Sequence, residues 1–158
     1  MKDSSVATGD QVKWAWNRGA LTFMEDFHNP PYSSATYRLC LYDASGKPQP
    51  LLEADIPPAG TCGLKPCWKP IGLRGFVYKN KQALPDGVVS LKLTAGGDGK
   101  AKIQAVGRGA SLQTPALPLT LPVTAQLVIV SGGSTQCWQT TFTAATIDQT
   151  SLFRATGP

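Results

Sequence analysis

A hydrolytic triad needs a histidine, and the chain has one, His28, inside Glu25-Asp26-Phe27-His28-Asn29. No G-x-S-x-G elbow accompanies it, so His28 reads as a solvated loop residue rather than a general base. Paired carboxylates are the next candidates for acid–base work: Glu25 with Asp26, and Glu53 with Asp55. Glu53 and Asp55 stand two apart on an extended segment, which puts them on one face about 7 Å apart. Glycoside hydrolysis wants carboxylates opposed across a cleft, so a side-by-side pair reads as a solvated face. Gly96-Gly97-Asp98-Gly99-Lys100 lacks the phosphate-loop spacing and has no helix behind it. Asp98 alone is too few carboxylates for calcium, and the segment reads as a turn. The expectation is a protein without catalytic residues, cofactor or metal.

Four cysteines carry the other available chemistry: Cys40, Cys62, Cys67 and Cys137. An even number in a Gly- and Pro-rich chain fits two disulfides, with three possible connectivities. Cys62 and Cys67 enclose Gly63-Leu64-Lys65-Pro66, a loop able to turn back on itself, which leaves Cys40 to pair with Cys137. Free buried thiols are one rival reading. A zinc site is another, but C-x4-C with no second close pair and a distant His28 is a poor ligand set. Bridging Cys40 to Cys137 requires their two strands to be neighbours in one sheet.

A basic and aromatic cluster occupies residues 65–81: Lys65, Trp68, Lys69, Arg74, Phe76, Tyr78, Lys79 and Lys81. On an extended segment Phe76 and Tyr78 share one face and Val77 and Lys79 the other. Exposed rings beside lysines would stack on sugars or bases while the cations met acidic groups. Buried rings would make the lysines a solubilising rim, and this second reading is the one favoured here.

The elements that must position these residues are strands. Glycine (16) and proline (13) are abundant and charged residues make up only 16%, a turn-rich composition poor in helix formers. Alternation marks extended segments at 11–17, 34–43, 51–56, 73–79, 88–94, 100–107, 123–130, 135–143 and 152–155. The expected inward sets include Val12/Trp14/Trp16, Tyr37/Leu39/Leu41, Val89/Leu91/Leu93, Ala101/Ile103/Ala105 and Val123/Ala125/Leu127/Ile129. Residues 57–72 read as a loop, and the three prolines of 108–122 as an edge or crossing segment. Eight to ten short strands predict one all-β domain over 11–158, an antiparallel two-sheet sandwich of immunoglobulin-like or jelly-roll-like kind. Residues 1–10 read as a flexible N-terminal segment.

The order of short signatures resembles uncharacterised β-rich domains in predicted secreted proteins of environmental bacteria. They include Trp14-Ala15-Trp16-Asn17-Arg18-Gly19, Tyr37-Arg38-Leu39-Cys40-Leu41-Tyr42, Gly63-Leu64-Lys65-Pro66-Cys67-Trp68, Gly75-Phe76-Val77-Tyr78-Lys79 and Cys137-Trp138. That resemblance implies an extracellular β-domain and carries no activity with it. No apolar run is long enough to cross a membrane, and no secretory leader opens the chain. The cysteines favour a mature portion behind an added initiator Met over a cytosolic protein. The expected role is a non-catalytic extracellular structural or adhesion domain, a subunit of a surface assembly or filament. Its partners would be like subunits or a cell-surface polymer. The alternative is a carbohydrate- or polyanion-binding module using 65–81. A net charge of +5 implies loose attraction to acidic polymers and no sequence-specific nucleic-acid recognition.

Overall fold

Thirteen strands follow one another in the computed structural model, which describes residues 1–157. Pro158, the last residue of the expected domain, lies outside the described residues. In chain order they are β1 (Gln11–Gly19), β2 (Thr36–Tyr42), β3 (Leu52–Ile56), β4 (Thr61–Cys62), β5 (Lys65–Pro66) and β6 (Trp68–Pro70). Then come β7 (Gly75–Lys79), β8 (Val88–Thr94), β9 (Ala101–Arg108), β10 (Val123–Ser131), β11 (Ser134–Phe142), β12 (Ile147–Gln149) and β13 (Leu152–Arg154). Two short 3-10 turns, Ala7–Gly9 and Glu25–Phe27, are the only helical pieces among the described residues.

Two antiparallel sheets form a sandwich. One has five strands in the order β1-β9-β8-β7-β6, the other four in the order β11-β10-β2-β3. The hairpins β12-β13 and β4-β5 stand at the margins. Alternation explains the pairing of layers, because every second side chain of each long strand must leave water. Val12 and Trp14, Leu39 and Leu41, Leu91 and Leu93, Ile103 and Ala105, and Leu127 and Ile129 are all buried between the sheets, as their spacing predicts. One inward set differs from expectation. In β8 the register shifts between Val88 and Ser90, so Val88 is buried and Val89 is not. A bulge inserts one residue and flips the alternation before it.

Two further differences bear on the site. Residues 57–72 hold three short strands, β4, β5 and β6, where a loop was expected. Residues 1–10, expected to be loose, are bonded into the fold: Lys2 bridges both Gln11 and Leu152, and the Asp3 N–H donates to the Ser151 carbonyl. Residues 109–122 do cross, as the proline-rich segment was read: they contain no strand and carry the chain from β9 of one sheet to β10 of the other, burying Leu112 and Leu119 on the way.

Aromatic side chains join the layers. Tyr37 on β2 meets Trp68 on β6 at 5.1 Å between ring centroids, and Trp68 meets Tyr78 on β7 at 5.2 Å. The Trp68 indole N–H donates to the Pro57 carbonyl, the Tyr37 hydroxyl to the Phe27 carbonyl, and the Asn80 amide to the Tyr78 hydroxyl. Each ring thus buries its apolar body while its polar tip keeps a partner.

Two outcomes follow for stability. Trp68→Ala removes a fully buried indole that touches both layers, and should cost about 3–5 kcal/mol in denaturant unfolding. An unchanged unfolding midpoint would contradict the central place given to this ring. Burial pushes the Tyr37 hydroxyl up to about 12 from its ordinary value of 10. The folded chain therefore keeps this proton to higher pH than the unfolded chain does. Stability should be level below about pH 9, the ordinary value of the Cys40 thiol, and fall as pH rises toward 12, the Tyr37 part by about 1.4 kcal/mol for each unit between 10 and 12. Burial raises Tyr78 and Cys40 in the same direction and adds to the alkaline loss. Urea midpoints that stay constant from neutral pH to strongly alkaline pH would refute this.

Candidate functional site

The outer face of the five-stranded sheet collects cations from five strands. Lys13 on β1, Arg108 and Lys102 on β9, Lys92 on β8, Lys79 on β7 and Lys69 on β6 are all exposed. Each alternates with a buried neighbour, which fixes the side of the sheet it occupies. Pairing sets their relative places: Lys13 lies opposite Val106, Lys92 opposite Gln104, Lys79 opposite Ser90, and Lys69 opposite Val77. Lys79, Lys92 and Lys102 are diagonal neighbours on successive strands, in steps of about 7–8 Å. Between the cations the face shows small or neutral side chains, Ala15, Val77, Ser90 and Thr94. The register places no carboxylate on it. Among the described residues the ion pairs are Arg38–Glu53 and Arg38–Asp55, both 2.6 Å and both on the other sheet. The six cations therefore have no acidic partner there.

A groove continues this face past the edge strand. The β4-β5 hairpin, closed by the Cys62–Cys67 disulfide, faces β7 across a cavity of about 370 Å³ lined by Lys65, Lys69, Lys79 and Lys81 together with Val77 and Gln82. Local sequence explains the shape. Gly63 at φ 70 turns the hairpin, the Cys67 N–H bonds back to the Gly60 carbonyl, and buried Trp68 anchors the next residue. Gly75 at φ 144 admits the close passage of β8, since a Cβ there would sit 1.9 Å from the Leu93 carbonyl oxygen. A second cavity, about 770 Å³, touches Val77 and Lys79 as well. Its lining comes from both faces of the five-stranded sheet, with Ala15, Ser90, Lys92 and Gln104 outside and Val12 and Trp14 inside, and from the inner face of the four-stranded sheet at Leu41.

The cluster read from residues 65–81 is thus divided. Its lysines 65, 69, 79 and 81 come together, whereas Trp68, Phe76 and Tyr78 are buried on the opposite side, each at most 3% exposed. Stacking of a ligand on these rings is ruled out, because the sheet's alternation turns them into the core. Lys13, Lys92, Lys102 and Arg108 were missed in the sequence. They lie far apart along the chain, and their only local signal is a polar position within an alternating strand.

Of the other candidates, Glu25 and Asp98 are exposed, and the rest are engaged locally. Glu53 and Asp55 share Arg38. Asp26 accepts the Phe23 N–H within the second 3-10 turn, and His28 Nε2 lies 3.0 Å from Gln136 Oε1. The glycine-rich segment at 96–99 is a turn, with the Gly96 N–H bonded to the Thr22 carbonyl and the Gly99 N–H to that of Gly19. The disulfide expectation holds for Cys62–Cys67 and fails for Cys40–Cys137, which are free thiols. β10 lies between β2 and β11, pairing with both. Two strand spacings hold the Cα atoms of Cys40 and Cys137 about 9–10 Å apart or more, beyond the roughly 7 Å limit for a bridge.

No known family matches the chain, and neither a curated protein nor a solved structure is found similar to it.

The thiols give a direct check. Cys137 is exposed, while Cys40 is buried and its thiol pushed up by that burial. Alkylation of the folded chain should modify Cys137 alone, and unfolding should add Cys40. The intact mass should lie two hydrogens below the fully reduced value, from one disulfide. A mass four hydrogens low, or equal labelling of both thiols in the folded chain, would refute the assignment.

Proposed function

We propose that this protein is a non-catalytic attachment module that binds a linear polyanion. The ligand lies across the outer face of the five-stranded sheet and into the groove beside the β4-β5 hairpin. The observation that carries this reading is one sheet face with six exposed cations and no carboxylate. Unpaired surface lysines repel one another, and a polyanion relieves that repulsion while releasing its own counterions. Neutral side chains between the lysines leave a shallow surface, which suits a flexible chain of repeated negative charges better than a small molecule.

The Cys62–Cys67 disulfide supports an oxidising, extracellular setting, where anionic cell-surface polymers are available. In that setting the module serves adhesion: it holds whatever it is part of onto an acidic polymer. Among the described residues no helix is long and apolar enough to cross a membrane, and attachment through charge requires none.

Heparin and neutral dextran serve as probes. Heparin affinity should fall steeply as salt rises, and dextran should not bind. Lys79→Ala, Lys92→Ala and Lys102→Ala should each weaken heparin binding and reduce the salt slope by about one ion. Their thermal midpoints should stay near that of the parent, because exposed side chains contribute within about 0.5 kcal/mol. Lys47→Ala, away from this face, is the control. Equal heparin affinity for Lys47→Ala and Lys92→Ala, or affinity indifferent to salt, would remove the proposal.

A further inference from the structure

We propose that two copies of this chain pair edge to edge through β11, antiparallel, making one continuous eight-stranded sheet around a two-fold axis. The inference starts from which sheet edges are protected. At β1 the N-terminal residue Lys2 pairs with Gln11, and the register breaks between Trp16 and Gly19. The edge strand β6 is three residues long and ends in Pro70. At β3 the Asp86 carboxylate accepts the Asp55 N–H, and Glu53 and Asp55 add charge. These are the ordinary means by which proteins keep an edge from recruiting another strand.

β11 has none of them. It runs for nine residues, Ser-Thr-Gln-Cys-Trp-Gln-Thr-Thr-Phe, with no charge and no proline, and its register against β10 is unbroken. The Ser131–Ser134 pair closes a two-residue loop of Gly132 and Gly133, both at positive φ. The closing pair of such a hairpin is hydrogen-bonded, and bonded pairs alternate beyond it. The backbone groups of Thr135, Cys137, Gln139 and Thr141 therefore point away from β10. Among the described residues no other backbone group bonds to them. Beside this edge the Trp138 indole bonds to Thr22, whose neighbours Leu21 and Phe23 are more than half exposed. A bare ladder flanked by exposed apolar side chains fits a protein strand.

The occupant is a second copy. An antiparallel pairing about a two-fold presents the strand to itself, which needs only a uniform, uncharged edge. Two chains of net charge +5 repel wherever their lysines meet, and this edge carries none of that charge. A two-fold perpendicular to the sheet places both five-stranded sheets on the same side, so the two cationic faces point the same way. The pairing itself does not rest on polyanion binding and is tested without a polyanion.

Sedimentation velocity on the full chain carrying Cys137→Ser, which prevents a covalent link between copies while the Cys62–Cys67 disulfide stays closed, reads the oligomeric state from micromolar to near-millimolar concentration. The expected species is a dimer of the 16.7 kDa chain. Gln139→Pro deletes one outward N–H without touching the β10 ladder, and Gln139→Lys sets like charges near the axis. Each should weaken dimerisation at least about tenfold with a thermal midpoint near the parent's. If Gln139→Pro fails to fold, Gln139→Lys alone decides, since it leaves the backbone intact. A chain that stays monomeric at every concentration overturns the inference, and so does a dimer indifferent to Gln139→Lys. Multimers that grow without stopping at two overturn the two-fold.

Discussion

The contact of Trp68 with Tyr37 on one side and Tyr78 on the other is the constraint on which the rest of this structure depends. Tyr37 belongs to the four-stranded sheet, and Trp68 and Tyr78 to the five-stranded one. Burying three aromatic bodies together stabilises the sandwich where its strands are shortest, because β6 is only three residues long. The same anchoring decides what faces outward. With Trp68, Phe76 and Tyr78 committed to the core, Lys69, Val77 and Lys79 have only the solvent side left. The disulfide hairpin just before Trp68 is held against β7 by the Lys79 N–H bond to the Cys67 carbonyl, which forms one wall of the lysine-lined groove. Core packing and cationic surface are two sides of one alternation.

Charge is segregated rather than balanced. The Arg38, Glu53 and Asp55 network lies on the outer face of the four-stranded sheet, and the unpaired lysines on that of the other. The cost of the cationic face is small. Two exposed charges about 8 Å apart in water repel by about 0.5 kcal/mol, and long side chains spread further. A fold this rich in buried aliphatic and aromatic residues tolerates several such terms. A ligand with repeated negative charge collects all of them at once.

The edges of the two sheets divide in the same way. Charges, a proline, a carboxylate cap and the N-terminal segment occupy three of them, whereas β11 is neutral and regular. Its inner side is fully used, since Trp138 packs on Phe27 at 5.5 Å and Gln136 meets His28. Its outer edge is left to whatever strand comes next. The long β10-β11 hairpin that supplies this edge is also the most regular piece of the sandwich, so the edge is rigid rather than frayed.

Much of the fold is legible in the sequence, because strand alternation is a local property. Val12 and Trp14, Leu39 and Leu41, Ile103 and Ala105, and Leu127 and Ile129 stand inward as period-two spacing demands, and the Cys62–Cys67 loop closes as its short span allows. What stayed hidden depends on neighbours in space. The β8 bulge moves burial from Val89 to Val88, and alternation by itself does not mark an inserted residue. Cys40 and Cys137 share an outward face as expected, yet strand order puts β10 between them. The side taken by Phe76 and Tyr78 was open in the sequence, since each strand has two faces and only packing against Trp68 selects one. The cationic face was hidden most completely. Lys13, Lys92 and Lys102 meet Lys69 and Lys79 only because β1 pairs with β9 and β9 with β8. Strand order is a tertiary choice, made by the burial of whole sheets against each other, and no spacing along the chain records it.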